Sequence, residues 1–222
     1  RMKHSKILTI AIPMILSNLT VPLLGVTNTA IMGHLPHSYY LGAVGVGTSI
    51  FDFLFWGVGF LRMGTVGLTS QAFGRQNASE LKSVLCHGLI VALGIAAALL
   101  LLQKPIGWLA LKLMHPPQNV AYYTRIYFMY RIWAAPAVLC NYVLVGWLIG
   151  RQKPKMTLAM TLIINGLAIP LGLLFVFQFG MTVKGVALAT VVAQYTGLAF
   201  ALWTAYRLLR RDKDIDWQWH DV

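Results

Sequence analysis

Few side chains in this sequence could do chemistry, and most of them sit in stretches that exclude water. Asp52, within SIFDFLFW, is the one acid inside an apolar run. A carboxylate at membrane depth costs roughly 2.5–3.5 kcal/mol to insert, so it faces a partner, faces water or is protonated. Thr48 lies one helical turn earlier and could be that partner. Arg62 lies ten residues further on, about 15 Å along a straight helix, too far to pair with Asp52 and placed to snorkel to an interface. Asn28 and Asn165 are amides, which donate and accept hydrogen bonds but do not ionise. Thr190 and Gln194 are four residues apart, so they share one helix face. Each of these polar residues suits either bonding between helices or lining a cavity.

Other patterns point away from catalysis. His34 and His37, in HLPH, are two ligands short of a structural metal site. GAVGVG at 42–47 has no strand before it and reads as close helix packing rather than a phosphate loop. Cys86 and Cys140 both fall in apolar segments without a CxxC pattern, which predicts buried, inert thiols. No Ser-His-Asp, HExxH or paired-carboxylate arrangement is visible, so neither an enzyme nor a metal or organic cofactor is expected.

The elements that must position these residues are membrane helices. The chain has 222 residues, 58% hydrophobic and only 11% charged, where a soluble domain has about 25% charged. Residues 7–33 run 27 residues without a charge, and about 20 apolar residues suffice to span a bilayer. That run also carries Asn18, Thr20, Asn28, Pro13, Pro22 and Gly25. Polar groups and helix breakers at this depth are tolerated where other helices or a cavity satisfy them, so the segment is predicted to be a kinked helix facing a cavity. It is longer than a signal-peptide core and is read as a mature helix. Six apolar spans follow the chain: 7–33, 41–74, 84–103, 120–149, 158–179 and 184–207. Short linkers at 34–40, 74–83, 115–119, 151–155 and 179–185 hold the turn residues, and 106–114 reads as an interfacial helix with Trp108 and Lys112 at headgroup level. The second span is long enough that it must tilt, kink at its glycines or project into the cytoplasm. In the last span Gly185, Ala189, Ala193, Gly197, Ala201 and Ala205 form a small-residue stripe for close helix packing.

The net charge is +12, and its distribution decides what it means. Arg1, Lys3, Lys6, Arg75, Lys82, Arg151, Lys153, Lys155, Arg207, Arg210, Arg211 and Lys213 fall on one side of such a topology, against Lys104, Lys112 and Lys184 on the other. This bias predicts an integral membrane protein with both termini in the cytoplasm and an even number of spans. Nucleic acid is not an expected partner, because the charges are scattered over separate loops. The fold class expected is all-α, a polytopic six-helix transmembrane bundle over 1–206. Residues 207–222 hold four of the six acids and read as a cytoplasmic tail or the start of a linker.

VPLLGVTNTAIMGHL at 21–35, FLRMGTVGLTSQAFG at 60–74 and VKGVALATVVAQY at 183–195 resemble the multidrug and toxic compound extrusion (MATE) family, in its DinF-like branch. The resemblance implies a twelve-helix transporter of two six-helix lobes, of which this chain matches the N-terminal one. A second lobe, membrane lipid and a small organic, cationic substrate would then be its partners. It further implies antiport driven by a proton or sodium, with Asn28, Thr190, Asn165 and Gln194 at the cavity; Thr190, Pro13 and Asn165 match the family pattern, and Asp52, outside that pattern, is the candidate for a relocated acid. It also exposes substitutions. The family's first-helix acid falls at Asn28, in VTNTA; its fifth-helix acid falls at Gly172, with an asparagine position at Ala168; and a sixth-helix glutamate falls at Gln194. Two other readings fit a chain without those acids: a non-transporting membrane protein that binds a partner or lipid, and a flippase for lipid-linked precursors.

Overall fold

The computed structural model describes residues 2–219. Arg1 of the basic N-terminal group and the last three residues of the terminal segment lie outside the described residues, as do the side chains of Lys3, Thr20 and Lys213. All regular structure among the described residues is helical: α1 (Met2–Gly33), α2 (Ser38–Gly57), α3 (Phe60–Gly74), α4 (Ala78–Leu101), α5 (Gln103–Met114), α6 (Gln118–Arg131), α7 (Ala135–Gly150), α8 (Pro154–Leu173) and α9 (Val183–Trp219).

Six helical stretches among the described residues have the length of a crossing. α1 has 32 residues, about 48 Å at 1.5 Å per residue. Five further helical stretches are long and apolar enough to cross a bilayer: Ser38–Gly74, Ala78–Leu101, Gln118–Gly150, Pro154–Gln178 and Val183–Arg211. Of the ways open to the overlong second span, interruption at one glycine pair is the one taken. α2 ends at Gly57, Val58 and Gly59 form a turn, and α3 begins at Phe60. The fourth crossing is α6 and α7 joined by a 3-10 turn at Ile132–Ala134, just ahead of Pro136, which has no N–H for the α-helical ladder. α8 carries Pro170 and ends in a π-helical turn at Leu174–Gln178. α1 carries both Pro13 and Pro22 within one continuous helix. α9 runs without a break past Arg207 to Trp219.

The α6–α7 crossing is the centre of the bundle. α2 packs on α6, α3 and α4 pack on α7, and α9 packs on both; α8 lies against α9, and α1 against α8 and α2. Trp147, Tyr127, Phe51, Leu139, Leu144 and Met32 are among the largest fully buried side chains. The Trp147 indole N–H donates to the Leu81 carbonyl of α4 at 3.0 Å, which satisfies the one polar group on a buried ring.

Small residues bring the backbones together. A Cβ on Gly146 would lie 2.5 Å from the Arg62 carbonyl oxygen, and one on Gly150 would lie 2.6 Å from the Thr69 Cβ. One turn apart on α7, these glycines form the seat for α3. In α9 the stripe Gly185, Ala189, Ala193, Gly197, Ala201 and Ala205 is buried throughout.

Two local readings change. Residues 78–83 are helical rather than loop, because the Asn77 side chain caps α4 by accepting from the Glu80 N–H at 3.1 Å, and Glu80 pairs with Arg75 at 3.0 Å. Cys140 is buried, but Cys86 is exposed. α4 packs through Leu81, Leu85, Ala92 and Ala96, and Cys86 falls off that face.

Candidate functional site

Helices α1, α8 and α9 carry the polar residues singled out above. Asn165 on α8 and Thr190 on α9 are both buried, with 7% and 8% of their surface exposed. Neither points to lipid. The Thr190 hydroxyl donates to the Val186 carbonyl one turn back, at 3.1 Å, which leaves its oxygen free to accept from another group. Gly172 on α8 is buried, and a Cβ placed there would sit 3.5 Å from Ile31 Cδ1 on α1. This contact places Asn28, one turn before Ile31 and Met32, on the stretch of α1 that meets α8. Asn28 is half-buried and makes no hydrogen bond among the described residues.

Gln194 is held by a residue that the sequence did not single out. Asn141 on α7 donates through Nδ2 to Gln194 Oε1 at 3.0 Å and to the Gln194 carbonyl at 3.2 Å. The Asn141 Oδ1 is buried with no hydrogen-bond partner. Next to it in sequence, the Tyr195 hydroxyl donates to the Trp133 carbonyl at 2.7 Å. α7 and α9 are therefore joined by polar contacts at the level of Gln194, and they leave one acceptor open. A single asparagine in an apolar run gives no sequence signal of a partner on another helix.

Asp52 sits apart from this group. It is exposed on α2 and has no hydrogen bond or ion pair among the described residues. Its expected partner Thr48 is engaged elsewhere: the Thr48 and Tyr127 hydroxyls lie 3.4 Å apart, and Arg131 donates to the Tyr127 hydroxyl at 2.7 Å. The Arg131 guanidinium also stacks 4.7 Å from the Phe51 ring centre.

The structure brings Asn28, Asn165, Thr190 and Gln194 onto one set of packed helices and leaves Asp52 on another face. Two cavities lie elsewhere. One is bounded by Ser5, Thr9, Pro13 and Lys155 near the start of α1; the other lies between α2, α5 and α6. The described residues hold no cluster of three or more His, Cys, Asp or Glu side chains that could bind a metal. His34 instead bonds the Ala30 carbonyl through Nδ1 at 2.7 Å, and His37 stacks on Tyr39 at 4.8 Å.

The MatE family model matches residues 13–174. Over 201 residues the chain is 42% identical to DNA damage-inducible protein F of Escherichia coli (strain K12), an alignment covering 90% of this chain and 44% of that protein. Over 207 residues it is 27% identical to Protein DETOXIFICATION 9 of Arabidopsis thaliana, covering 90% and 41% respectively. The solved outward-facing structure of a multidrug resistance MATE family transporter of the MOP superfamily superposes with a TM-score of 0.82 at 22% identity, over 89% of this chain and 44% of that one. The chain spans less than half the length of the curated relatives it matches.

Proposed function

This chain belongs to the MatE family, and we propose that it serves as one six-helix lobe of a secondary transporter that exports organic cations by alternating access. The observation that carries this reading is the burial of Asn165 and Thr190 at helix faces that cross the membrane. An anchor in lipid has no use for inward-facing amides and hydroxyls, whereas a transport route needs a few polar groups to orient a ligand among apolar walls. Asn28, Gln194 and the open acceptor Asn141 Oδ1 add to the same set. The second lobe is a further six helices, which accounts for a chain that covers under half of each relative. The protein sits in the bacterial inner membrane with both termini in the cytoplasm, as the distribution of basic residues favours.

Coupling uses a proton or sodium. Asn28 and Gly172 stand where the family's acids fall, and neither can take up a proton. Asp52 is the carboxylate within the apolar spans and serves proton exchange. The amide and hydroxyl oxygens of Asn28, Asn165 and Thr190 serve sodium. Coupling requires that the ion bind the two conformations unequally; Asp52 meets this if closure of the lobes buries it.

Efflux of a fluorescent organic cation from cells expressing the intact protein tests the reading. Lower retention than in cells carrying an Asn165→Leu/Thr190→Val variant at equal expression is expected. Equal retention contradicts it.

A further inference from the structure

Arg131 ends α6 near the middle of the membrane. It closes a helix that begins at Gln118, about 20 Å back along the axis. Across from it, Thr48 lies about 15 Å along α2, which begins at Ser38. The two helices run in the same direction and in step: Tyr40 meets Tyr123 at 4.8 Å, the Thr48 and Tyr127 hydroxyls face each other, and Phe51 meets Phe128 at 5.2 Å. Half of a hydrocarbon core is about 15 Å, so no lipid headgroup lies at this level. A guanidinium at such depth is costly and marks a functional group.

The side chain is held but not neutralised. A guanidinium N–H donates to the Tyr127 hydroxyl at 2.7 Å, and the guanidinium carbon lies 4.7 Å over the centre of the Phe51 ring. Tyr127 reaches this place because a Cβ at Gly47, within GAVGVG, would overlap its ring. Having accepted from Arg131, the Tyr127 hydroxyl can donate to Thr48, 3.4 Å away. Arg131 is half-buried and pairs with no acid among the described residues. Its five N–H donors therefore include a planar fork still open, which matches a carboxylate through two parallel bonds. Asp52, exposed one turn beyond Thr48, makes no ion pair with Arg131, so neither charge neutralises the other. Phe55 extends the aromatic surface, 5.8 Å from Phe51 and 6.4 Å from Tyr142 between ring centres.

We propose that Arg131, positioned by Tyr127 and Thr48, binds a carboxylate on the exported solute, so that the organic cation also bears an acid group. This rests on the transport reading and adds a substrate class to it. Asp52 suits the cationic end of such a solute, and the aromatic rings suit its apolar body.

The test uses the intact protein in lipid nanodiscs and two dyes with one ring system, a rhodamine with a free carboxylate and its methyl ester. Binding is read by fluorescence anisotropy at neutral pH. The free acid is expected to bind roughly ten-fold tighter than the ester, as hydrogen bonds to a charged group warrant. Arg131→Gln brings the two dyes within about two-fold of each other and leaves the ester's affinity unchanged, while Arg131→Lys keeps part of the difference. An unchanged melting temperature of the glutamine variant shows that the effect is on binding, and the wild-type comparison stands whether or not that variant folds. Equal binding of the two dyes by the wild type, or a preference that survives Arg131→Gln, overturns the carboxylate site and leaves the transport reading in place. Equal wild-type binding together with unfolding of the glutamine variant overturns it in favour of an acid of the second lobe as the partner of Arg131. Binding of neither dye overturns both readings.

Discussion

Asn141 and Gln194, 53 residues apart in the chain, are joined by two hydrogen bonds from a single amide, 3.0 Å to the side-chain oxygen and 3.2 Å to the backbone carbonyl. The pair ties the central crossing to α9 at the level of the candidate route. Between membrane helices such a contact is worth about 0.6 kcal/mol on average and up to about 1.7. Asn141→Leu therefore lowers stability by about 1 kcal/mol, read as a lower melting temperature in detergent. Because the change also removes the open Oδ1 acceptor, it reduces efflux by more than Gln194→Leu does. Equal efflux in the two variants, measured at matched expression, counts against a role for that oxygen.

The contact of α7 with α3 gives a second expectation. Gly146→Val and Gly150→Val each force side-chain atoms into backbone and Thr69 of α3, and overpacking of this kind costs about 1–3 kcal/mol. Gly94→Val, where no atom lies within 4 Å of the position a Cβ would take, is close to neutral. Folded yield and thermal melting of the three variants should separate them in that order.

Asp52 supplies the third. If its carboxylate carries the proton, Asp52→Asn flattens the pH dependence of efflux while the folded yield stays within about two-fold, because its side chain has no partner to lose. Asn28→Asp introduces a second carboxylate and steepens the profile. Efflux that keeps its wild-type pH profile in Asp52→Asn removes the proton from the account and leaves sodium.

The crossings were legible because apolar runs and short turn-rich linkers are local features. The small-residue stripe of α9 followed from i+4 spacing alone, whereas length said only that the second span had to tilt, kink or project, and not that it would break at Gly57–Gly59. The start of α4 was legible too, since Asn77 and Glu80 have capping spacing, yet the charged residues around them read as loop. Gly146 and Gly150 carry the same kind of signal, a small pair one turn apart. Other features depend on which helix lies beside which. Asn141 finds its partner on α9, Thr48 turns to Tyr127 rather than Asp52, and Cys86 falls outside the packed face of α4. None of these relationships is written in the spacing of residues along one helix.

The central claim is that water and solute reach the polar faces of α1, α8 and α9. Alkylation of a single cysteine at position 28, made by Asn28→Cys in a Cys86→Ser/Cys140→Ser background, tests it most directly. The account predicts rapid labelling by a charged, water-soluble thiol reagent, slowed when a transported organic cation is present. Labelling by a lipid-soluble reagent alone, with none by the charged one, would contradict it.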